Sequence, residues 1–182
     1  MTARGNPTEF RSELMERLFG RYARPEMLRL AERIGDDTER FAVVARMALS
    51  ADAAVVMRAS WLLTICAELR PALVTPWIPK LLAAAARPGA SDALRRNIVR
   101  SLQFIDIPRR HQGRAADLCF GFLQDVKAPV AVKAFSMTVL ANIAMSEPEL
   151  KHEIVLTIEQ LVPYGSAGIR SRARKVLAQL RK

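Results

Sequence analysis

A chain of 182 residues, 51% of them hydrophobic, has the length of one domain and enough apolar surface to bury that no disulfide or metal staple is required. Its two cysteines lie within apolar patterns, no uninterrupted apolar run reaches the ~18 residues of a membrane span, and Met1–Phe10 is polar where a secretory leader would be apolar. These features argue against a disulfide framework, a spanning helix and a leader, and they lead to the expectation of a cytoplasmic protein with no membrane partner. The net charge of +10 is uneven: residues 1–50 carry nine Lys/Arg against eight Asp/Glu, and residues 51–182 carry nineteen against ten. Such an excess attracts phosphates or acidic proteins without choosing between them.

In chain order, Phe10, Leu14 and Leu18, then Met27, Leu28, Ala31 and Ile34, fall at helical spacing and predict two amphipathic helices, a terminal cap over residues 1–35. Pro25 suits the start of the second. Asp36 with Glu39 supplies a capping arrangement for a helix carrying Phe41, Val44, Ala45 and Ala48, and its partner helix is predicted from about Asp52 to Leu69. Thr75 before Pro76 predicts the next helix start, with Leu81–Ala86 as its end. Arg87-Pro88-Gly89 breaks the chain, and Ser91 caps a helix with Leu94, Ile98, Leu102 and Ile105 on one stripe. A third pair runs from Pro108 to about Asp125 and, past Pro129, to Met145. Ser146 with Glu149 matches a capping box for a helix that ends near Pro163, and Gly165-Ser166-Ala167-Gly168 turns into the last helix. No segment shows strand alternation, so the chain is predicted to be all-α, with about ten helices.

Within this series a basic residue recurs: Arg58, Arg95, Lys133 and Arg170 are separated by 37, 38 and 37 positions. Each follows an apolar residue (Met57, Leu94, Val132, Ile169) and precedes another by seven (Ile65, Leu102, Leu140, Leu177), so one helix is written four times. A helical unit repeating at this period buries its apolar face by stacking on its neighbours. The prediction is a single domain in which four helix pairs, residues 36–182, form a right-handed α-α superhelix behind the cap.

Hairpins of this length, with a basic residue early in the second helix and prolines near helix starts, are similar to HEAT-type repeats over residues 37–182, a HEAT/armadillo-like solenoid. Val130–Met137, Pro148-Glu149-Leu150-Lys151, Arg172–Leu177 and Arg58-Ala59-Ser60-Trp61 also resemble a family of short bacterial repeat proteins without an assigned activity, some of which are called adenylosuccinate lyases. That chemistry implies a Gly-Ser-Ser-x-Met-Pro loop, which this sequence lacks. The HEAT resemblance implies that the basic residue hydrogen-bonds across adjacent turns. Asp52 is the candidate partner of Arg58, while Gly89, Lys127 and Tyr164 stand at the corresponding positions of the other repeats and leave their cations open to an external anion.

On the second helices, the expected exposed positions are two, five and nine residues past each basic rung. They are Ser60, Leu63 and Ala67; Asn97, Arg100 and Phe104; Phe135, Thr138 and Asn142; and Arg172, Lys175 and Gln179. Arg58, Arg95, Arg96, Arg100, Lys133, Arg170, Arg172 and Lys175 are the candidate anion- or partner-binding residues. His111 and His152 stand alone and form no ligand pair with Cys66 or Cys119, so no metal is expected. No Gly-x-Ser-x-Gly, P-loop or other nucleotide signature occurs, so no cofactor and no catalytic residue is assigned. Trp61 and Trp77 invite comparison with helical-repeat DNA glycosylases, but no acidic residue lies within a helical turn of Trp61. The leading expectation is a non-catalytic module for a protein partner, ahead of a nucleic-acid-binding protein and a glycosylase-like enzyme.

Overall fold

The computed structural model describes residues 7–181; Met1–Asn6, on which the leader reading mostly rests, and Lys182 lie outside the described residues. The helices are α1 (Pro7–Phe19), α2 (Arg24–Ile34), α3 (Thr38–Ala48), α4 (Ala53–Leu69), the single turn α5 (Pro71–Val74), α6 (Ile78–Ala86), α7 (Asp92–Leu102), α8 (Arg109–Gln124), α9 (Val130–Ile143), α10 (Lys151–Leu161) and α11 (Ala167–Leu180). No strand occurs among the described residues. The chain forms an all-α stack of helix hairpins, an α-α superhelix.

The second helices make one layer, with α4 against α7, α7 against α9 and α9 against α11. Their partners α3, α6, α8 and α10 pack on them, and α6–α8 and α8–α10 touch more sparsely. At the start, α1 packs on α3 and α4, and α2 on α4. Ion pairs clip these first two helices together: Arg33 to Glu13 at 2.6 Å, and Arg17 to the buried Glu26 at 3.3 Å. A single apolar core runs from Phe10 to Leu180, with Phe41, Leu62, Ile65, Ile78, Leu102 and Leu140 wholly covered.

Three helix starts differ from the sequence expectation. Asp37, rather than Asp36, caps α3: its Oδ1 accepts from Glu39 N at 2.9 Å and Arg40 N at 3.0 Å, while Asp36 reaches out to Arg70. Thr75 caps nothing; its hydroxyl donates back to Pro71 O at 3.3 Å. Pro71 already starts the helical path there, and Pro76 and Pro79, lacking N–H groups, pass it through a 3₁₀ turn (Thr75–Trp77) into α6. Ser146 is likewise no cap. Its Oγ lies 3.0 Å from Ile143 O and 3.2 Å from Gln112 Oε1, and a 3₁₀ turn (Pro148–Leu150) leads into α10. Asp52, Ser91 and Ser166 do cap α4, α7 and α11. Ile105 stays buried although α7 ends at Leu102.

The seam between α4 and α7 is polar and buried. Asn97 Nδ2 donates to Ser60 Oγ at 2.8 Å, Ser101 Oγ lies 3.1 Å from Thr64 Oγ1, and Thr64 Oγ1 lies 3.0 Å from Asn97 O. All four side chains are excluded from solvent. Both side-chain pairs span 37 residues, so the network locks one repeat onto the next in register. Cutting it takes away the donor that the buried Ser60 Oγ accepts from and leaves only the hydroxyl's own bond to Met57 O at 3.3 Å: Asn97→Ala is expected to lower the unfolding free energy by about 2 kcal/mol in urea denaturation. Asn142→Ala, which removes an exposed bond to Gln103 O, is expected to cost under about 1 kcal/mol.

Candidate partner-binding surface

The four rung cations point at backbone. Arg58 Nε donates to Leu18 O at 3.2 Å, Arg95 Nη2 to Arg87 O at 3.4 Å, Lys133 Nζ to Leu123 O at 3.2 Å and Arg170 Nη1 to Gly165 O at 2.6 Å. The first three acceptors lie at the C-terminal ends of α1, α6 and α8, and Gly165 lies in the turn between α10 and α11. A helix end leaves its last four carbonyls without intrahelical partners and carries a partial negative charge, so a cation is favoured there on both counts. Arg58 also lies 4.6 Å from the ring centre of Phe19 and 5.0 Å from that of Tyr22, a cation–π sandwich. Asp52 does not meet Arg58: its carboxylate accepts from Ala54 N and Val55 N at the start of α4. Six residues of helix put the two side chains on different faces.

The remaining candidates disperse. Arg96 is exposed, with Nε 3.5 Å from Asn97 Oδ1. Arg100 reaches Glu68 at 4.0 Å, and Glu68 also binds Arg24 at 3.1 Å. Arg172 donates to Thr138 Oγ1 across the α9–α11 seam at 2.9 Å. Lys175 is exposed and has no ion pair or hydrogen bond among the described residues.

The expected inner face is therefore shorter than the spacing suggested. Ser60, Leu63 and Ala67 are buried, because α4 is covered by α2 on one side and α7 on the other; Asn97 is buried in the polar seam. Two positions past the rung turns toward the neighbouring repeat rather than toward solvent. What remains is half-buried Arg100 and exposed Phe104 near the end of α7, then Phe135, packed in part on the core, with half-buried Thr138 and exposed Asn142 on α9, then half-buried Arg172 and exposed Lys175 and Gln179 on α11.

A family model for the HEAT repeat domain matches residues 14–180. The chain belongs to the HEAT repeat family. No curated protein and no solved structure matches this HEAT repeat chain. The match begins within α1, so it takes in most of the two helices that were read as a cap.

Trp61 stands edge-on to Tyr22 with ring centres 4.7 Å apart, and Trp77 lies under Lys80 at 5.0 Å. Among the described residues, no group of His, Cys, Asp and Glu gathers as metal ligands, and no helix is long and apolar enough to cross a membrane.

One feature escaped the spacing argument: a cleft of about 590 Å³ where repeats three and four meet. Leu123, Val126, Val130, Lys133, Tyr164 and Ile169 help line it. Its sequence signal was available, since Val126 and Tyr164 are large apolar residues in turns, where polar side chains are the rule.

Burial pushes the thiols of Cys66 and Cys119 up from 9.0 to about 12. The thiolate is the reactive form, so Ellman's reagent at about pH 8 is expected to find no thiol in the native chain and both after unfolding in urea. The folded pKa is the higher one, so the stability these groups contribute is complete below pH 9 and is lost as pH rises toward 12.

Proposed function

We propose that this HEAT repeat chain is a non-catalytic cytoplasmic scaffold that holds an acidic protein partner on the open face of α7, α9 and α11. The observation that carries this reading is the interleaving of Phe104 and Phe135 with Arg100, Arg172 and Lys175 on that face. Rings supply apolar contact and cations supply orientation, the mixture that an amphipathic acidic helix meets well. HEAT repeats commonly serve as protein-interaction scaffolds, and the exposed face falls on the second helices, as that role needs.

The competing nucleic-acid reading draws on Arg58, Arg95, Arg96, Arg100, Arg170, Arg172 and Lys175. Against it, a phosphate backbone calls for evenly placed cations, whereas the α9 positions between Arg100 and Lys175 carry none. Arg58, Arg95 and Arg170 also each spend a guanidinium donor on a carbonyl group of the fold.

The two readings separate in one comparison. A protein captured from the native cell by the wild-type chain is expected to be lost with the Arg100→Glu, Lys175→Glu double variant, while a fluorescent duplex stays unbound at about 150 mM salt. Duplex binding at that salt, with a salt slope reduced by the same two charge reversals, would replace the protein partner with nucleic acid.

A further inference from the structure

The edge of the stack that carries the rungs holds a second surface, independent of the open face. At the seam of repeats three and four, the turn after α8 and the turn after α10 stand on either side of the 590 Å³ cleft. Val126 on the first turn is 92% exposed, and Tyr164 on the second 93%. Between them, Val130, Ile169 and Leu123 line the cleft. A volume within about 300–1,000 Å³ and a largely apolar wall are what small-group binding sites share. Two large apolar residues left almost wholly in water beside such a cleft mark a contact surface.

The shape of the cleft is set by the backbone. A Cβ on Gly165 would come within 2.6 Å of Ile169 Cγ2 and 2.9 Å of Leu161 O, so only glycine lets the 162–166 turn settle onto α11. Arg170 then holds that turn through Gly165 O at 2.6 Å.

Charge selects the occupant. Among the described residues no carboxylate lines the cleft, and Lys133 does. Its ammonium has three donors and commits one to Leu123 O, leaving two for a ligand. Lys127 lies exposed on the same turn as Val126, and Asp125 accepts from Lys127 N, capping the turn. Residues 164–182 add six basic side chains and no acidic one. A second copy of the chain, at +10, is repelled, and the chain's own Arg181-Lys182 end has the wrong sign.

We propose that this cleft captures a short acidic segment of another protein, seating one bulky apolar side chain between Val126 and Tyr164 and placing a carboxylate at Lys133. The site does not depend on the open face: Arg100 and Phe104 lie toward the opposite end of the second helices.

A displayed library of random twelve-residue peptides, selected on the full-length chain, provides the probe. Enriched peptides are expected to combine Asp or Glu with Leu, Ile, Phe or Trp. By fluorescence anisotropy, Val126→Asp and Tyr164→Asp are each expected to weaken the best peptide about tenfold. Lys127→Glu is expected to weaken it less, and Arg114→Glu, an exposed charge reversal on α8, to leave it unchanged. Both aspartate substitutions are at nearly fully exposed side chains, so the helical circular dichroism stays at the wild-type value. No enriched peptide, enrichment without acidic and apolar residues, or peptides indifferent to both aspartate variants would overturn the proposal. A failure of the open-face reading is recorded separately, by Arg100→Glu, Lys175→Glu and the captured partner.

Discussion

Helix ends set the terms on which this protein is built. A first helix that finishes against the next helix of a hairpin exposes carbonyl groups which its own backbone has no N–H left to meet. In three places the chain answers with the same device, a long cation early in a second helix reaching the end of α1, α6 or α8, and in a fourth Arg170 holds the turn between α10 and α11. Three of these contacts hold the α6–α7, α8–α9 and α10–α11 turns, whereas Arg58 ties the end of α1 to α4, and the second helices line up beside them. Once they are aligned, the α4–α7 seam places Asn97 on Ser60 and Ser101 on Thr64, and the register of the stack follows.

The rung is uniform in purpose but varied in chemistry. Arg58 adds two aromatic faces, Phe19 and Tyr22, so the first rung also anchors the entry helices. Arg95 keeps a buried Nε with no partner, while its Nη2 reaches Arg87 O and its guanidinium lies 5.9 Å from the Phe122 ring. Lys133 replaces a planar fork with a compact ammonium that has donors to spare. Arg170 makes the shortest contact of the four, to a turn that only a glycine lets close.

Much of this was legible in the sequence. The period of the basic residue and its apolar flanks set the hairpins, and the paired helices follow at nearly the expected bounds. The partners of the rungs were not legible, because a carbonyl oxygen belongs to every residue and leaves no side-chain signature. That is why Asp52 looked like the mate of Arg58 and proved to be the cap of α4. The inner face misled for a related reason. Helical spacing tells which residues share a side of a helix, but neighbours decide whether that side meets water, and α4 has neighbours on both flanks. The prolines near Trp77 gave a helix start too late, since Pro71 had already set the path.

Burial along the stack is graded. Ten side chains of α4 are buried, from Val55 to Ala67, whereas α10 buries only Ile154 and Ile158. In a solenoid each unit is held by its own interior and by its immediate neighbours, so the thinly packed end opens most often. Amide hydrogens of α10 are therefore expected to exchange with solvent before those of α4, so that the least buried layer of the stack also sets how readily its neighbour α11 is uncovered.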